Sequence, residues 1–375
     1  MIRTEKKQLL IGTTIQIKFL KTYHKVNTIN KKTPKPKIII SLFIVGTGRN
    51  GSKLLRQMLS QHPKFGILME SHYLPMLINK FENKEISAKV FYDHALEYYG
   101  SNNQRWLYTI AVYGNCRVSK LKTYIASEIK TSKVQSVADH NIDLARFIFG
   151  DQVLIFGDKT PSYGQYANKL HMAFKNARFI HLQRDGVFAA KSMTKHQGFV
   201  KIANGLSDYD QVAESHYKGK IAEFSDNPIS LESAAELFNS LQSRTIKALS
   251  QVPQENILNI RYEELLTDPE SKLEEISTFT NIYFSKFFKK KSAALVHSNA
   301  TQNMGKAFTR NRYMDLYSRV SEINNKQGYY ENFFNWYEDV KPYRRSTVFS
   351  LFYLLKFNWV SRKIIAIYRS ILRRS

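Results

Sequence analysis

A glycine-bearing segment near residue 50 combines residue types that bind phosphate groups. Its sequence is Gly46-Thr47-Gly48-Arg49-Asn50-Gly51-Ser52-Lys53-Leu54-Leu55. Glycines let the backbone curl so that successive N–H groups converge on an anion, and a following helix adds the positive end of its dipole. Because Arg49, Ser52 and Lys53 add side-chain donors, we predict that this loop binds a phosphate-bearing ligand. The structural alternative is a tight strand-to-helix turn whose charges are incidental.

The loop departs from the two commonest nucleotide-binding patterns. In nucleoside-triphosphate enzymes, Gly-x4-Gly is followed directly by Lys and then by Ser or Thr, whose hydroxyl binds magnesium. Gly46 and Gly51 have that spacing, but Ser52 stands where the Lys is required. Lys53 comes one residue late, and Leu54 replaces the hydroxyl. The dinucleotide pattern is also incomplete, since no proper acidic partner follows within a single βαβ unit. A magnesium-triphosphate enzyme is disfavoured, and a P-loop nucleotide-dependent kinase stays open as the second hypothesis.

Four segments follow one another along the chain in an order that is typical of one family. The first is Gly46-x-x-Arg49-Asn50-Gly51-Ser52-Lys53-Leu54-Leu55, with the next helix ending at His62-Pro63. The others are Gly157-Asp158-Lys159-Thr160-Pro161, then residues 177–192 with Arg184 eight residues before Ser192, then the run 260–269 around Tyr262. Together they resemble the PAPS-dependent sulfotransferase family, close to its tyrosylprotein and carbohydrate branch. PAPS is 3′-phosphoadenylyl sulfate, and the resemblance extends over about residues 38–282.

This resemblance implies how a nucleotide would be held. The 5′-phosphosulfate would lie in the loop, at Arg49, Asn50, Gly51, Ser52 and Lys53. Arg184 and Ser192 would bind the 3′-phosphate, and Tyr262 would lie near the nucleotide. PAP, adenosine 3′,5′-bisphosphate, would be the product, and no metal would be required. The loop differs from the family's Ser-Gly-Thr-Thr at Asn50, Ser52 and Lys53, and Lys53 adds a charge.

The resemblance also implies which residues would act on the transferring group. Arg49 would offset charge on the leaving oxygen, and Lys159 would contact the sulfuryl oxygens. Glu70 is the expected base, because in the tyrosylprotein-type branch a Glu follows His-Pro at the separation seen here, eight residues after His62. A carboxylate near several cations is held ionised, which suits hydrogen-bond acceptance. His72 is the second candidate base, and a salt-bridged surface Glu70 is the structural alternative.

Hydrophobic patterns indicate the elements that must position these residues. Strands are predicted at 37–45, 152–157, Ala177–Gln183 and Ile257–Arg261, the first as a continuous apolar run. Helices are predicted near 54–59, at 166–175, at 187–196 and at Leu231–Leu249, and residues 75–150 are expected to be mostly helical. This alternation predicts an α/β protein with a central parallel sheet flanked by helices. With the resemblance it becomes a three-layer P-loop-like fold, in which ligands bind beyond the carboxyl ends of the strands.

Composition excludes several classes of protein. The 375 residues are 43% hydrophobic and 13% aromatic, which is typical of a folded globular protein and not of a disordered or collagen-like chain. The single cysteine, Cys116, excludes an intrachain disulfide and a cysteine zinc cluster. Charged residues interrupt every apolar stretch before the roughly 18 to 20 residues needed to span a bilayer. With no clear secretory signal, a cytoplasmic protein is expected.

The net charge of +25 is concentrated at the two ends of the chain. Residues 1–40 carry ten basic residues and one acid, and residues 341–375 carry nine basic residues and no acid. We therefore predict a basic extension at 1–37, a sulfotransferase domain at 38–340 and a basic amphipathic helix at 341–375. Such a C-terminal helix either packs on the domain with a solvated basic face or attaches the protein peripherally to an anionic membrane surface on its cytoplasmic face. A third hypothesis for the protein is a membrane or nucleic-acid adaptor, although no nucleic-acid-binding motif is present.

The leading hypothesis is an enzyme that moves a sulfuryl group from PAPS to a hydroxyl of a carbohydrate or lipid. In-line geometry, positive donors around the moving group and a base for the acceptor proton are its requirements. The acceptor pocket is expected in the variable segments 73–150 and 198–230. The resemblance also implies that Lys306 lies in a late loop that covers the nucleotide.

Overall fold

An apolar run that follows a proline-rich stretch forms the central strand of the protein. β1 (Ile40–Val45) is buried at all six positions, as expected when helices cover both faces of a parallel sheet. Successive side chains of a strand point to opposite faces. Phe43 and Val45 accordingly join one apolar cluster, whereas Ile40, Leu42 and Ile44 join another.

The computed structural model describes residues 40–82, 84–97, 107, 111, 114, 116–205, 220–296, 308–330 and 333–335. Its remaining strands are β2 (Phe65–Met69), β3 (Ile86–Ser87), β4 (Val134–Gln135), β5 (Ile155–Lys159), β6 (Ala177–Gln183) and β7 (Ile257–Arg261). Five of them form one sheet in the order β2-β5-β1-β6-β7, with every pair parallel. The short strands β3 and β4 form a separate antiparallel pair. The predicted class, a central parallel sheet flanked by helices, is confirmed.

The α-helices of the described residues follow in chain order. They are α1 (Ser52–Leu59), α2 (Leu74–Phe81), α3 (Ala88–Glu97), α4 (Val118–Lys130), α5 (Val137–Phe149), α6 (Ala167–Ala173), α7 (Gly186–Met193), α8 (Gln197–Asn204), α9 (Leu231–Leu249), α10 (Tyr262–Thr267), α11 (Pro269–Thr280), α12 (Lys286–Ala293) and α13 (Arg310–Lys326). Short 3₁₀ helices occupy Pro161–Tyr166, Lys220–Glu223 and Gln254–Asn256.

Two apolar clusters sandwich the sheet. One face packs on residues of α2, α3, α5 and α6, and the other packs on residues of α1 and α11. A third cluster joins α7, α9 and α13 beside the sheet. Helices thus cover both faces of the sheet, and the loops that follow the strands emerge at its carboxyl edge.

The structure differs from the sequence expectations at three places near the site. β6, α9 and β7 have the predicted bounds. The strand predicted at 152–157 instead runs from Ile155 to Lys159, and β2 was not predicted at all. The helix predicted at 187–196 ends at Met193, and α8 begins just after His196.

None of the helices within the described ranges is long and apolar enough to cross a membrane. The predicted extension at 1–37 and helix at 341–375 lie outside the described residues, and so does Lys306.

Candidate active site

The carboxyl ends of the five parallel strands bring the predicted site residues to one edge of the sheet. The glycine-bearing loop follows β1, Glu70 follows β2, Lys159 ends β5, Arg184 follows β6 and Tyr262 follows β7. Met69 is paired with Lys159, and Gln183 is paired with Arg261. The next residues along β2 and β5, and along β6 and β7, therefore lie side by side.

Glycine is required at Gly51, where the loop enters α1. Its φ is +85°, in the left-handed region, and a Cβ built there would lie 2.2 Å from Cδ2 of Tyr262. No side chain fits in that space, so the ring of Tyr262 lies directly against the loop backbone. The glycine-bearing loop and Tyr262, which follows β7, therefore form one wall of the site.

The side chain of Asn50 anchors the loop to β6. This side chain is fully buried, and Nδ2 donates a hydrogen bond to the carbonyl oxygen of Leu182 at 2.6 Å. Its Oδ1 accepts from the Ser52 backbone N–H at 3.4 Å. What Asn50 presents to a ligand is therefore its backbone, and its amide side chain links the loop to β6.

Two arginines, a serine and a tyrosine form what we call the arginine corner: Arg49, Arg184, Ser192 and Tyr262. Arg49 Nε donates to Ser192 Oγ at 3.0 Å, and Arg184 Nη1 donates to the Arg49 carbonyl oxygen at 2.5 Å. The guanidinium carbon of Arg184 lies 4.9 Å from the ring centroid of Tyr262. Arg184 Nε is buried and has no hydrogen-bond partner among the described residues.

The electrostatics of the arginine corner favour an anion. Burial lowers the pKa of Arg49, and the nearby charge of Arg184 lowers it further. Two cations in one partly buried place repel each other, and a bound anion relieves that repulsion. A phosphate group fits the planar donors of arginine particularly well.

Lys159 and Glu70 form an ion pair at the ends of β5 and β2. The Lys159 side chain is 2% exposed, that of Glu70 is 44% exposed, and Nζ donates to Oε1. Burial lowers the pKa of Lys159, whereas the charge of Glu70 and its hydrogen bond raise it. The Glu70 N–H also donates to the Lys159 carbonyl oxygen at 3.0 Å. The carboxylate therefore offsets the cost of burying an ammonium group.

Three predicted residues have backbone conformations that are uncommon away from glycine. The φ angles of Arg49, Glu70 and His72 are +55°, +50° and +57°. Left-handed conformations of ordinary residues persist where the surroundings over-determine them, and they concentrate at ligand and active sites.

A cavity of about 1080 Å³ joins these groups. Every site residue predicted from the sequence lines it except Asn50, and His72 lines it too. Residues of 198–230 also line it, among them Phe199, Ile202 and Ile221, whereas no described residue of 73–150 does. The helices α2–α5 instead pack against one face of the sheet. Single small-molecule pockets span roughly 300 to 1,000 Å³, so this cavity has room for a nucleotide and an acceptor.

The cavity is also lined by residues that were not predicted as site residues, among them Gln165 and His196. Gln165 Oε1 is buried without a hydrogen-bond partner in the described part of the chain. Burial and the charge of Arg49 lower the pKa of His196, and the charge of Glu70 raises it. His196 follows Ser192 by one helical turn, which is a weak signal, and no sequence pattern points to Gln165. Within the described ranges, no group of three His, Cys, Asp or Glu side chains could hold a metal ion.

Comparison with known proteins adds a family match. A model of the family described as the sulfotransferase family matches residues 41–286, more than half of the chain. No curated protein matches the chain.

Several solved structures share low similarity with the chain. One is the sulfotransferase domain of the Synechococcus olefin synthase, with 19% identity, a TM-score of 0.45 and coverage of 88% of this chain and 98% of that chain. A sulfotransferase domain from the curacin biosynthetic pathway has 18% identity, a TM-score of 0.47 and coverage of 78% and 98%. A sulfotransferase from Mycobacterium avium has 11% identity, a TM-score of 0.38 and coverage of 81% and 80%. At these scores the structures add no argument about ligands or residues.

Proposed function

The chain belongs to the sulfotransferase family and is an enzyme of that class, and we propose that it transfers a sulfuryl group from PAPS to a hydroxyl of a carbohydrate or lipid. Members of this family generally take the group from PAPS. The observation that carries the proposal is the arginine corner beside the glycine-bearing loop, at the carboxyl edge of the sheet.

The arginine corner fits a 3′-phosphate. Arg184 Nε is a buried donor with no partner in the described residues, and the Ser192 hydroxyl is oriented by the hydrogen bond that its oxygen accepts from Arg49 Nε. Charge-assisted bonds from these groups distinguish a 3′-phosphorylated nucleotide from one that lacks the phosphate. The loop amides at the start of α1 and the side chain of Lys53 then face the 5′ end of the ligand.

When bound, PAPS supplies an activated sulfuryl group. The acceptor oxygen forms a bond to sulfur while the bond from sulfur to the bridging phosphate oxygen breaks, and PAP departs with the electron pair. Glu70 takes the proton that the acceptor hydroxyl loses. Lys159 Nζ carries three hydrogens, so it can keep Glu70 oriented and still donate to the sulfuryl oxygens. Arg49 offsets the charge that grows on the bridging oxygen.

The acceptor binds, in this proposal, on the side of the cavity formed by residues from 198–230. Phe199 and Ile202 offer apolar surface there, while His196 and Gln165 offer polar atoms. This combination suits a hydroxyl carried on a partly apolar molecule, such as a lipid or the face of a sugar ring. His72 is the alternative base, because it lines the same cavity two residues after Glu70.

Calorimetric titration of the purified full chain with PAP, in a chelator, tests the proposal. We expect tight binding without magnesium, and a weakening of roughly 10- to 100-fold in Arg184→Ala because a charge-assisted contact is lost. Arg178→Ala is the matched control, since Arg178 lies on β6, the strand that Arg184 follows, and donates to the carbonyl of Phe279. Binding of ATP only with magnesium, and no binding of PAP, would favour the kinase and overturn the proposal.

A further inference from the structure

Two buried carboxyl groups lie directly behind the arginine corner. Asp185 follows Arg184 in the sequence, and Glu263 follows Tyr262. Both carboxyl side chains are fully buried, and the Asp185 N–H donates to Glu263 Oε1 at 3.4 Å. The residues that face the cavity and the residues that anchor them are thus neighbours on the same two strand ends.

Side chains from α13 and the turn after it hold both carboxyl groups. Tyr329 Oη donates to Glu263 Oε2 at 2.5 Å, and Tyr313 Oη donates to Asp185 Oδ2 at 2.7 Å. Asn324 Nδ2 donates to Asp185 Oδ1 at 3.1 Å. All three of these residues are buried. Each carboxyl group therefore receives at least one donor from the C-terminal part of the described chain.

Asn324 also fixes the first turn of α7. Its Oδ1 accepts from the Gly186 N–H at 2.9 Å, while Asp185 Oδ1 caps the same helix by accepting from the Val187 N–H at 2.9 Å. This turn joins the end of β6, from which Arg184 projects, to the helix that carries Ser192. A shift of the turn would displace both residues at once.

Electrostatics make these donors necessary. Burial raises the pKa of Glu263 to about 7, and the charge of Asp185 adds to the rise. The hydrogen bond from Tyr329 and the charge of Arg184 lower it, and Tyr313 on α13 also faces the pair. Two carboxyl groups without donors at this depth would repel each other and pull on the guanidinium of Arg184.

We propose that Asn324 and Tyr329 are positioning residues that set the selectivity of the arginine corner for a nucleotide bearing a 3′-phosphate. Both lie beyond residue 286, where the family match ends. The C-terminal part of the described chain therefore completes a site whose ligand-facing residues all lie within the match. This inference rests on the proposed function, because it assigns the 3′-phosphate to Arg184 and Ser192.

The test compares PAP with adenosine 5′-monophosphate, which lacks only the 3′-phosphate. Dissociation constants for both ligands are measured by calorimetry with the full chain, with Tyr329→Phe and with Asn324→Ala. We expect each variant to bind PAP about fivefold or more weakly, a fraction of a charged hydrogen bond, with 5′-monophosphate binding unchanged. Tyr73→Phe is the control, because it likewise removes a buried tyrosine hydroxyl, which donates to Asn141 Oδ1 on α5 at 2.6 Å.

The outcomes separate the two proposals. If the unmodified chain does not prefer PAP, the proposed function fails. If it prefers PAP and both variants keep the full preference, or lose affinity for both ligands equally, the positioning role is wrong. Tyr329→Phe removes one oxygen atom and is expected to fold, so the test stands even if Asn324→Ala unfolds.

Discussion

Lys159 is buried at the end of β5 with its ammonium group on Glu70, and this pairing decides what each residue can do in the reaction. The lysine donates a hydrogen bond that orients the carboxylate, and the charge of the carboxylate raises the pKa of the lysine against the effect of its burial. In the proposed reaction, the base and the electrostatic donor are therefore adjacent to each other and line the same cavity as the glycine-bearing loop.

Replacement of Glu70 by Gln tests the assignment of the base. We expect turnover of PAPS to PAP, measured with an acceptor-bearing extract, to fall roughly 100- to 10,000-fold, the usual range for loss of a general base. PAP affinity should be unchanged, because the amide oxygen can still accept from Lys159. His72→Asn is the comparison, and full activity of Glu70→Gln with loss in His72→Asn would assign the base to His72.

The residue types of the site can be predicted from the sequence, whereas their partners cannot. The order of four segments points to Arg49, Lys159, Arg184 and Tyr262, and all of them line the cavity. The pairing of Glu70 with Lys159 depends on β2 lying beside β5, and neighbouring strands are set by topology and not by local sequence. Asn50 illustrates the same limit, since its hydrogen-bond partner Leu182 lies 132 residues further along the chain.

At the scale of elements, the glycine-bearing loop packs against Tyr262, the first residue of α10. The ring of Tyr262 occupies the space where a Cβ of Gly51 would lie. The conformation of the loop and the position of the aromatic ring are therefore one packing arrangement, and neither can shift alone.

Gly51→Ala tests this arrangement. The added methyl group would lie 2.2 Å from the Tyr262 ring, and the backbone of the alanine would have to stay in the left-handed region. We therefore expect weaker PAP binding and a lower melting temperature. Gly198→Ala is the control. The atom nearest to its added Cβ would be 3.3 Å away, on His196, and alanine has a higher helix propensity than glycine. Equal melting temperatures for Gly51→Ala and the unmodified chain would contradict the account.

His181 on β6 links the sheet to α9. Its Nδ1 lies 2.9 Å from Asn259 Oδ1, and its Nε2 lies 2.8 Å from Gln242 Nε2. An amide oxygen accepts and an amide nitrogen donates, so a neutral imidazole with its hydrogen on Nδ1 satisfies both contacts. Burial lowers the pKa of His181 to about 4, because the charged imidazolium would lose its hydration, while the hydrogen bonds with Asn259 and Gln242 partly offset this.

This histidine predicts a loss of stability in mild acid. The unfolded chain binds a proton near the ordinary pKa of 6.5 and the folded chain only near 4, so the free energy of unfolding falls as the pH drops between those values. The contribution is about 3 kcal/mol. In urea titrations at several pH values, His181→Gln should be less stable at pH 7.5 but should show a shallower decline toward pH 4.5. Parallel pH profiles for the two proteins would exclude this role.

Elements whose apolar pattern has recognisable ends were predictable, whereas two strands near the site were not predicted correctly. β6, α9 and β7 have the predicted bounds, because their apolar patterns are clear and bounded. β2 is a five-residue apolar run with no alternation, too short to read alone. β5 continues through charged residues because Thr160 donates to Asp158 at 2.6 Å and Glu70 accepts from Lys159, and these contacts form only in the folded sheet.

At the scale of the whole molecule, positive charge is distributed unevenly along the chain. The net charge of +25 is carried largely by residues 1–40 and 341–375. Few cations are assigned to the nucleotide, and they all lie at one edge of the sheet. We propose that the terminal basic segments bind the enzyme to an anionic membrane surface and take no part in its chemistry.

A chain that ends at residue 340 separates location from chemistry. It lacks nine basic residues, each worth about 1 kcal/mol near an anionic surface, so it should sediment far less with vesicles of anionic lipid. Its affinity for PAP should equal that of the full chain. Undiminished sedimentation would refute the role of this segment, and vesicles of neutral lipid provide the baseline.

Transfer of radioactive sulfur from labelled PAPS tests the central claim most directly. The purified full chain is incubated, with a chelator, with fractionated lipid and glycan extracts, and label is measured in each fraction. The account predicts labelled product in one of these fractions, lost in Arg184→Ala at low PAPS and in Glu70→Gln at all PAPS concentrations. No transfer to either fraction, together with magnesium-dependent transfer of phosphate from ATP, would contradict it.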